Sequence, residues 1–189
     1  RFGSKSGNFF LNSLRNIDYN DIDERNLGDD FIEALFKVMI PRYTKSTDDE
    51  GKTIFHIAAM ITNINQNTIN KVIQTIEKEK VTWNNLLNAR TRQGKTILMN
   101  FASKGNICAI KYLKKNGADI TKRDLFGNNI LHILLQSKSV TNNAIIEFVS
   151  QVGKKYRELF LQRNRNGENP FFIAAKRGFN GILGIMSIY

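Results

Sequence analysis

The sequence predicts an all-α protein built as a stack of repeated helix–turn–helix units. Four glycines recur at spacings of 43, 33 and 40 residues, and each stands two residues before a residue that can cap a helix. Apolar residues after each cap follow helical spacing. A single helix pair has too small an apolar face to form a core, so neighbouring units must stack. The four glycines are Gly51, Gly94, Gly127 and Gly167.

The segment from Gly94 to Gly127 is the clearest unit. The Thr96 hydroxyl can accept from the free backbone N–H groups of a first helical turn. Gly105 can adopt a positive φ and end this helix, and Gly117 can end the second helix in the same way. The apolar residues that share one face of each helix are Ile97, Leu98, Phe101 and Ala102 in the first and Ile107, Ile110 and Leu113 in the second.

Two of the units are longer and share an insertion before the next glycine. Its residues align when counted back from that glycine: Trp83 with Tyr156, Leu86 with Leu159, and Leu87 with Phe160. We expect an extra helical turn at both places. Trp83 and Tyr156 are candidate partner anchors because aromatic residues dominate binding hot spots. The alternative is that they pack the insertion onto its own unit.

The helix starts carry a family resemblance. Their four-residue sequences are Thr53-Ile54-Phe55-His56, Thr96-Ile97-Leu98-Met99, Asn129-Ile130-Leu131-His132 and Asn169-Pro170-Phe171-Phe172. With the 33-residue period, and with Gly117-Ala118-Asp119 and Asp124-x-x-Gly127, they resemble the Thr-Pro-Leu-His pattern of the ankyrin-repeat family. The resemblance covers residues 45–189, as about four repeats starting near residues 48, 91, 124 and 164. It implies a solenoid whose return loops project as β-hairpin fingers and whose first helices line a concave face.

Residues 1–44 are expected to form a polar segment followed by a capping helix. Phe31, Leu35 and Met39 fall on one helical face, and Pro41 ends that helix. Such a helix can cover the first repeat, as solenoids require; the alternative is the end of a preceding domain. Arg1 at the start and Tyr189 within a predicted second helix indicate a fragment of a longer chain.

Composition limits the class of protein. The single cysteine excludes an internal disulfide framework and suits a reducing compartment. No apolar run approaches the ~20 residues that span a bilayer. Residues 1–50 carry 7 basic and 10 acidic side chains, whereas residues 51–189 carry 21 basic and 7 acidic ones. The repeats are therefore the basic part of the chain, and their field should attract an acidic partner.

Catalytic and cofactor motifs are not expected. Gly51-Lys52-Thr53 and Gly94-Lys95-Thr96 match the end of a phosphate-binding loop, but Ser46 and Ala89 stand where that motif needs an earlier glycine. The repeat pattern explains both segments.

Histidine and cysteine chemistry is not expected either. His56 and His132 share one repeat position, where the ankyrin resemblance implies that histidine ties the turn to the helix start. Cys108 falls on a position of the second helix that usually faces solvent, and no carboxylate is placed to orient a histidine–cysteine pair. These three residues are also too few for a structural metal site. We expect no catalytic residue, no cofactor and no metal.

The candidate binding residues are basic. Counted back from the glycines, one arginine position recurs at Arg90, Arg123 and Arg163, and a second at Arg92 and Arg165, with Lys122 adjacent. The planar guanidinium suits carboxylates and phosphates. The resemblance implies that these arginines form a ladder on three successive fingers. Charged residues are, however, also common on the fingers of this family. Lys104, Lys176 and Arg177 end their first helices and would line the concave face.

These features predict a monomeric, intracellular and non-catalytic module that binds an acidic protein surface. Three alternatives stay open. The repeats can target a larger enzyme, as ankyrin arrays do in secreted effectors of intracellular bacteria, and would then act in the host cytosol. They can bind nucleic acid or anionic lipid, although the fingers hold few aromatic residues to stack bases. They can also be an internal scaffold for other domains.

Overall fold

The computed structural model describes residues 46–60, 86–153 and 155–188. These ranges are helical and contain no β-strand. The helices are α1 (Ile54–Ala58), α2 (Ile97–Ser103), α3 (Ile107–Lys115), α4 (Ile130–Gln136), α5 (Asn142–Val152), α6 (Glu158–Leu161), α7 (Pro170–Lys176) and α8 (Asn180–Met186).

The helix starts confirm the predicted caps. The side chains of Thr96, Asn129 and Asn169 accept hydrogen bonds from backbone N–H groups of the first turns of α2, α4 and α7. Thr53 precedes α1, and its hydroxyl lies 2.9 Å from Nδ1 of His56. At α2, α4 and α7 the capping side chains satisfy donors that a helix N-terminus leaves without partners.

The helices pack in two sequential series. In the first, α2 contacts α1 and α4, and α4 contacts α7. In the second, α5 contacts α3 and α8. The two series meet where α2 packs on α3 and α7 on α8. One continuous core results because every unit buries its apolar face against its neighbours; its largest fully buried side chains include Leu98, Ile110, Ile130, Phe148 and Phe160.

The shared insertion of the third unit is helical, as predicted. It forms α6, in which Leu159 and Phe160 are buried. The Phe160 ring meets the Phe171 ring of α7 edge to face, with centroids 6.3 Å apart. In the first unit Leu86 and Leu87 are also helical and buried.

The return loops differ from the β-hairpin fingers that the resemblance implied. Within the described ranges they are tight turns, and Arg90 and Thr96 form one isolated antiparallel bridge. A hairpin needs a series of hydrogen bonds between the two arms of one loop. Here the N–H groups of Asp48, Thr91, Asp124 and Asn164 each donate one such bond across their own turn, to the carbonyls of Lys52, Lys95, Asn128 and Glu168.

Some predictions concern residues outside the described ranges. These are the capping helix with Phe31, Leu35, Met39 and Pro41, and the position of Trp83. Among the described helices, none is long and apolar enough to cross a bilayer.

Candidate partner-binding surface

Four turns, one at the start of each repeat, share the same internal hydrogen bonds. The first residue of each turn has a side chain that accepts from the backbone N–H group four residues later, and the fourth residue is a glycine with φ between 73° and 77°. The two residues between them are called the tip here. The tips are Asp49-Glu50, Arg92-Gln93, Leu125-Phe126 and Arg165-Asn166.

Backbone hydrogen bonds join each tip to the next. The N–H groups of Arg92, Leu125 and Arg165 donate to the carbonyls of Glu50, Gln93 and Phe126, at 2.7, 2.9 and 2.8 Å. The four tips therefore form one row, in the order of the chain.

The arginine ladder exists, and its guanidinium groups bind the protein's own backbone. Arg90 donates through Nε to the Gly94 carbonyl at 3.1 Å and through Nη2 to the Arg123 carbonyl. Arg123 donates in the same way to the carbonyls of Gly127 and Arg163. Each of these two arginines thus closes its own turn and ties it to the next one, which is a structural role.

Several other predicted binding residues also have internal partners. Arg163 donates to the Gly167 carbonyl at 2.7 Å. Arg177 donates to the carbonyls of Leu135 and Ser137, and its guanidinium lies 4.8 Å from the centre of the Phe179 ring. Lys176 pairs with Glu168 at 3.5 Å, and Lys122 with Asp119 at 3.2 Å.

Arg92 and Arg165 are placed differently. Both are exposed at the tips, and their side chains have no hydrogen-bond or ion-pair partner within the described part of the chain. They are therefore available to carboxylates of another molecule. Of the two arginine positions in the repeat, the position two residues before the glycine fits partner binding better than the ladder position.

Sequence reasoning missed the apolar tip. Leu125 is 50% and Phe126 54% exposed, and their backbone bonds place them between the Arg92 and Arg165 tips. The sequence does contain this difference: the other three tips consist of polar or charged residues, and this tip consists of two apolar ones.

A groove of about 430 Å³ lies beside this tip, at the ends of α2 and α4. Phe126 and Ile133 form apolar parts of its wall. Its basic side chains are Lys95, Lys104 and Lys138. Of the residues predicted for the concave face, Lys104 lies here, whereas Lys176 and Arg177 make the contacts described above. The groove and the second to fourth tips form a basic surface with an apolar centre, whereas the first tip, Asp49-Glu50, is acidic.

The histidines hold neighbouring units together. Nδ1 of His56 accepts from the Thr53 N–H group, so Nε2 carries the proton and donates to the Lys95 carbonyl at 3.2 Å. His132 makes the equivalent bond to the Glu168 carbonyl at 3.0 Å. Burial lowers the pKa of His56 to about 4 and also lowers the pKa of His132. Both rings are thus neutral structural links at physiological pH.

In residues 46–60, 86–153 and 155–188, no three His, Cys, Asp or Glu side chains come together in a way that could hold a metal ion. Cys108 is exposed on α3, as the repeat pattern predicted.

Comparison with known proteins yields a partial similarity. No family model matches the chain. Over 84 residues it is 33% identical to the phosphocholine transferase AnkX of Legionella pneumophila subsp. pneumophila. The match covers 44% of this chain and 8% of the length of AnkX. The chain is thus similar to a short part of a much longer bacterial protein.

Proposed function

We propose that this chain is a non-catalytic protein-recognition module with ankyrin-repeat architecture, acting as a monomer. The two helix series and the four turns of common plan support the architecture. The proposed partner presents an acidic surface with an apolar side chain at its centre.

The observation that carries this proposal is the exposed Leu125-Phe126 tip between Arg92 and Arg165. Exposed apolar side chains next to a groove supply affinity when a partner covers them. The flanking guanidinium groups and the lysines of the groove would orient the partner and raise the association rate.

A partner-independent selection tests the proposal. Peptides from a random library displayed on phage would be selected on the wild-type protein. We expect enriched peptides with an apolar residue flanked by Asp or Glu. Their binding should be lost with Arg92→Glu combined with Arg165→Glu, and weakened about tenfold with Phe126→Ser. Lys155→Glu combined with Arg157→Glu, two exposed changes on the segment before α6, alters the net charge by the same amount and is the matched control.

The selection also has an outcome that contradicts the proposal. Peptides without acidic residues, or peptides that bind the Arg92→Glu, Arg165→Glu variant as tightly as the wild type, would place recognition elsewhere on the molecule.

A second candidate function follows from the partial match to AnkX. The repeats would then be the targeting part of a larger enzyme or secreted effector, which fits a similarity restricted to 8% of that protein. A full-length protein with Arg92→Glu and Arg165→Glu should then keep any catalytic activity but no longer be found at the same place in the cell. Unchanged location would contradict this function.

A further inference from the structure

A second basic site lies between α3 and α5. It is a cleft of about 520 Å³, and it shares no lining residue with the groove beside the tips. Phe148 and Val152 of α5 are among its apolar lining residues. Its basic side chains are Lys111, Lys114, Lys115 and Lys155.

Most of this positive charge is not neutralised within the protein. Lys111 pairs with Glu147. Lys114, Lys115 and Lys155 have no carboxylate partner within the part of the chain that the structure describes. Asp119, the acidic residue that lines the cleft, pairs with Lys122 and accepts from the Thr121 hydroxyl at 2.6 Å.

Two of the unpaired lysines meet at one aromatic ring. Nζ of Lys114 lies 5.1 Å and Nζ of Lys155 lies 5.5 Å from the centre of the Tyr156 ring. Each ammonium group gains from the ring, but the two charges repel each other. A helix C-terminus favours lysine and accounts for Lys114 at the end of α3. It does not account for Lys155, which follows α5.

We propose that this cleft binds a small polyanion carrying two or more phosphate groups. The ammonium groups would donate to the phosphate oxygens, and several phosphates on one scaffold would neutralise Lys114, Lys115 and Lys155 together. The ligand is either a free phosphate ester or the headgroup of a lipid, because both present the same chemistry to the lysines.

Two measurements on the purified chain distinguish these sources. Titration calorimetry with inositol hexakisphosphate probes a free ligand. Co-sedimentation with phosphatidylcholine vesicles, with and without a phosphatidylinositol bisphosphate, probes a headgroup. Binding in the first assay alone indicates a free ligand, and binding in the second alone a membrane headgroup. Binding in both assays indicates that the cleft recognises the phosphate groups whether or not they are attached to a lipid.

Matched double variants test the location of the site. Lys114→Gln combined with Lys155→Gln should weaken binding about tenfold or more, because both contacts are charge-assisted. Lys104→Gln combined with Lys138→Gln removes the same charge from the groove and should leave binding within about twofold. No binding by the wild type, or equal weakening by both double variants, overturns the proposal. Circular dichroism checks that all variants are folded.

Discussion

At the scale of single residues, the position of an arginine in its turn determines whether its guanidinium bonds to the protein's own backbone or stays exposed. Arg123 and Arg165 are both exposed arginines of the turns. The Arg123 guanidinium bonds to two backbone carbonyls, whereas Arg165 extends from a tip without an internal partner. Substitutions at these two residues should therefore separate stability from binding.

Arg123→Gln should lower the free energy of unfolding by about 1 kcal/mol, since it removes two hydrogen bonds at an exposed site. Arg165→Gln should change it by less than about 0.5 kcal/mol. Urea unfolding followed by circular dichroism measures both values. Equal losses would mean that the ladder bonds contribute nothing to stability.

The buried His56 should make stability depend on pH. Its folded pKa of about 4 lies below the ordinary histidine value of 6.5, so the unfolded chain binds more protons between these two values. Stability from the neutral ring is then complete above pH 6.5 and is lost as the pH falls towards 4, at up to about 1.4 kcal/mol per pH unit.

His56→Met tests this, because Met99 occupies the same position in the next unit. Between pH 6.5 and 4 the variant should lose stability less steeply than the wild type in urea unfolding. A slope identical to that of the wild type would show that His56 does not set it.

At the scale of elements, the short inserted helix and the turns are held by contacts with neighbouring units. α6 has four residues, too few for a helix to be stable by itself. Phe160 anchors it against α7, and the Asn129 amide donates to the Leu159 carbonyl at 2.8 Å. The turns depend in the same way on glycines that lie close to the following turn.

Phe160→Ala should lower the free energy of unfolding by about 3 kcal/mol or more, since it opens a cavity at a fully buried ring. The neighbouring change Leu161→Ala is the control, because Leu161 is 58% exposed, and it should cost less than about 0.5 kcal/mol. Thermal unfolding measures the loss of stability in each variant. Equal losses would contradict the burial of Phe160.

Gly127→Ala should be more destabilising than Gly167→Ala. Both glycines have a positive φ, which costs an alanine about 1–2 kcal/mol. A Cβ at Gly127 would also lie 3.2 Å from the Asn164 Cα atom, whereas one at Gly167 would meet nothing within 4 Å. Unfolding midpoints measure the difference, and equal midpoints would argue against close packing of the turns.

At the scale of the whole molecule, charge is divided along the chain. The excess of basic side chains lies in residues 51–189, and the described structure distributes it over the tips, the groove and the α3–α5 cleft. Association with an acidic peptide from the proposed selection should therefore slow as salt rises from about 0.05 to 0.5 M, because exposed charges are screened. Stopped-flow association rates measure this effect. Rates independent of salt would exclude electrostatic steering.

The sequence by itself determined the local structure of this protein. Caps such as Thr96 and Asn129 and the positive-φ glycines follow from interactions within a few residues, which local sequence encodes. The helical turn at Leu159-Phe160 was predicted from the insertion that two units share, although contacts with Asn129 and Phe171 hold it. The bond from the Thr53 N–H group to His56 fits the role that the resemblance implied, whereas the bond from His56 to the Lys95 carbonyl of the next unit was not predicted. The expected β-hairpins were not found, because the arms of each loop do not continue as paired strands beyond the tight turn; Arg90 and Thr96 form an isolated bridge.

Only the tertiary structure decided which basic side chains bond within the protein itself. Arg90 and Arg92 are two residues apart and equally basic, but the Arg90 guanidinium is bound to a carbonyl 33 residues away in the chain. The meeting of Lys114 and Lys155 at the Tyr156 ring likewise joins residues from different units. Such contacts depend on how the units stack. A repeat pattern specifies positions within one unit, but it does not specify which carbonyl of the next unit a side chain reaches.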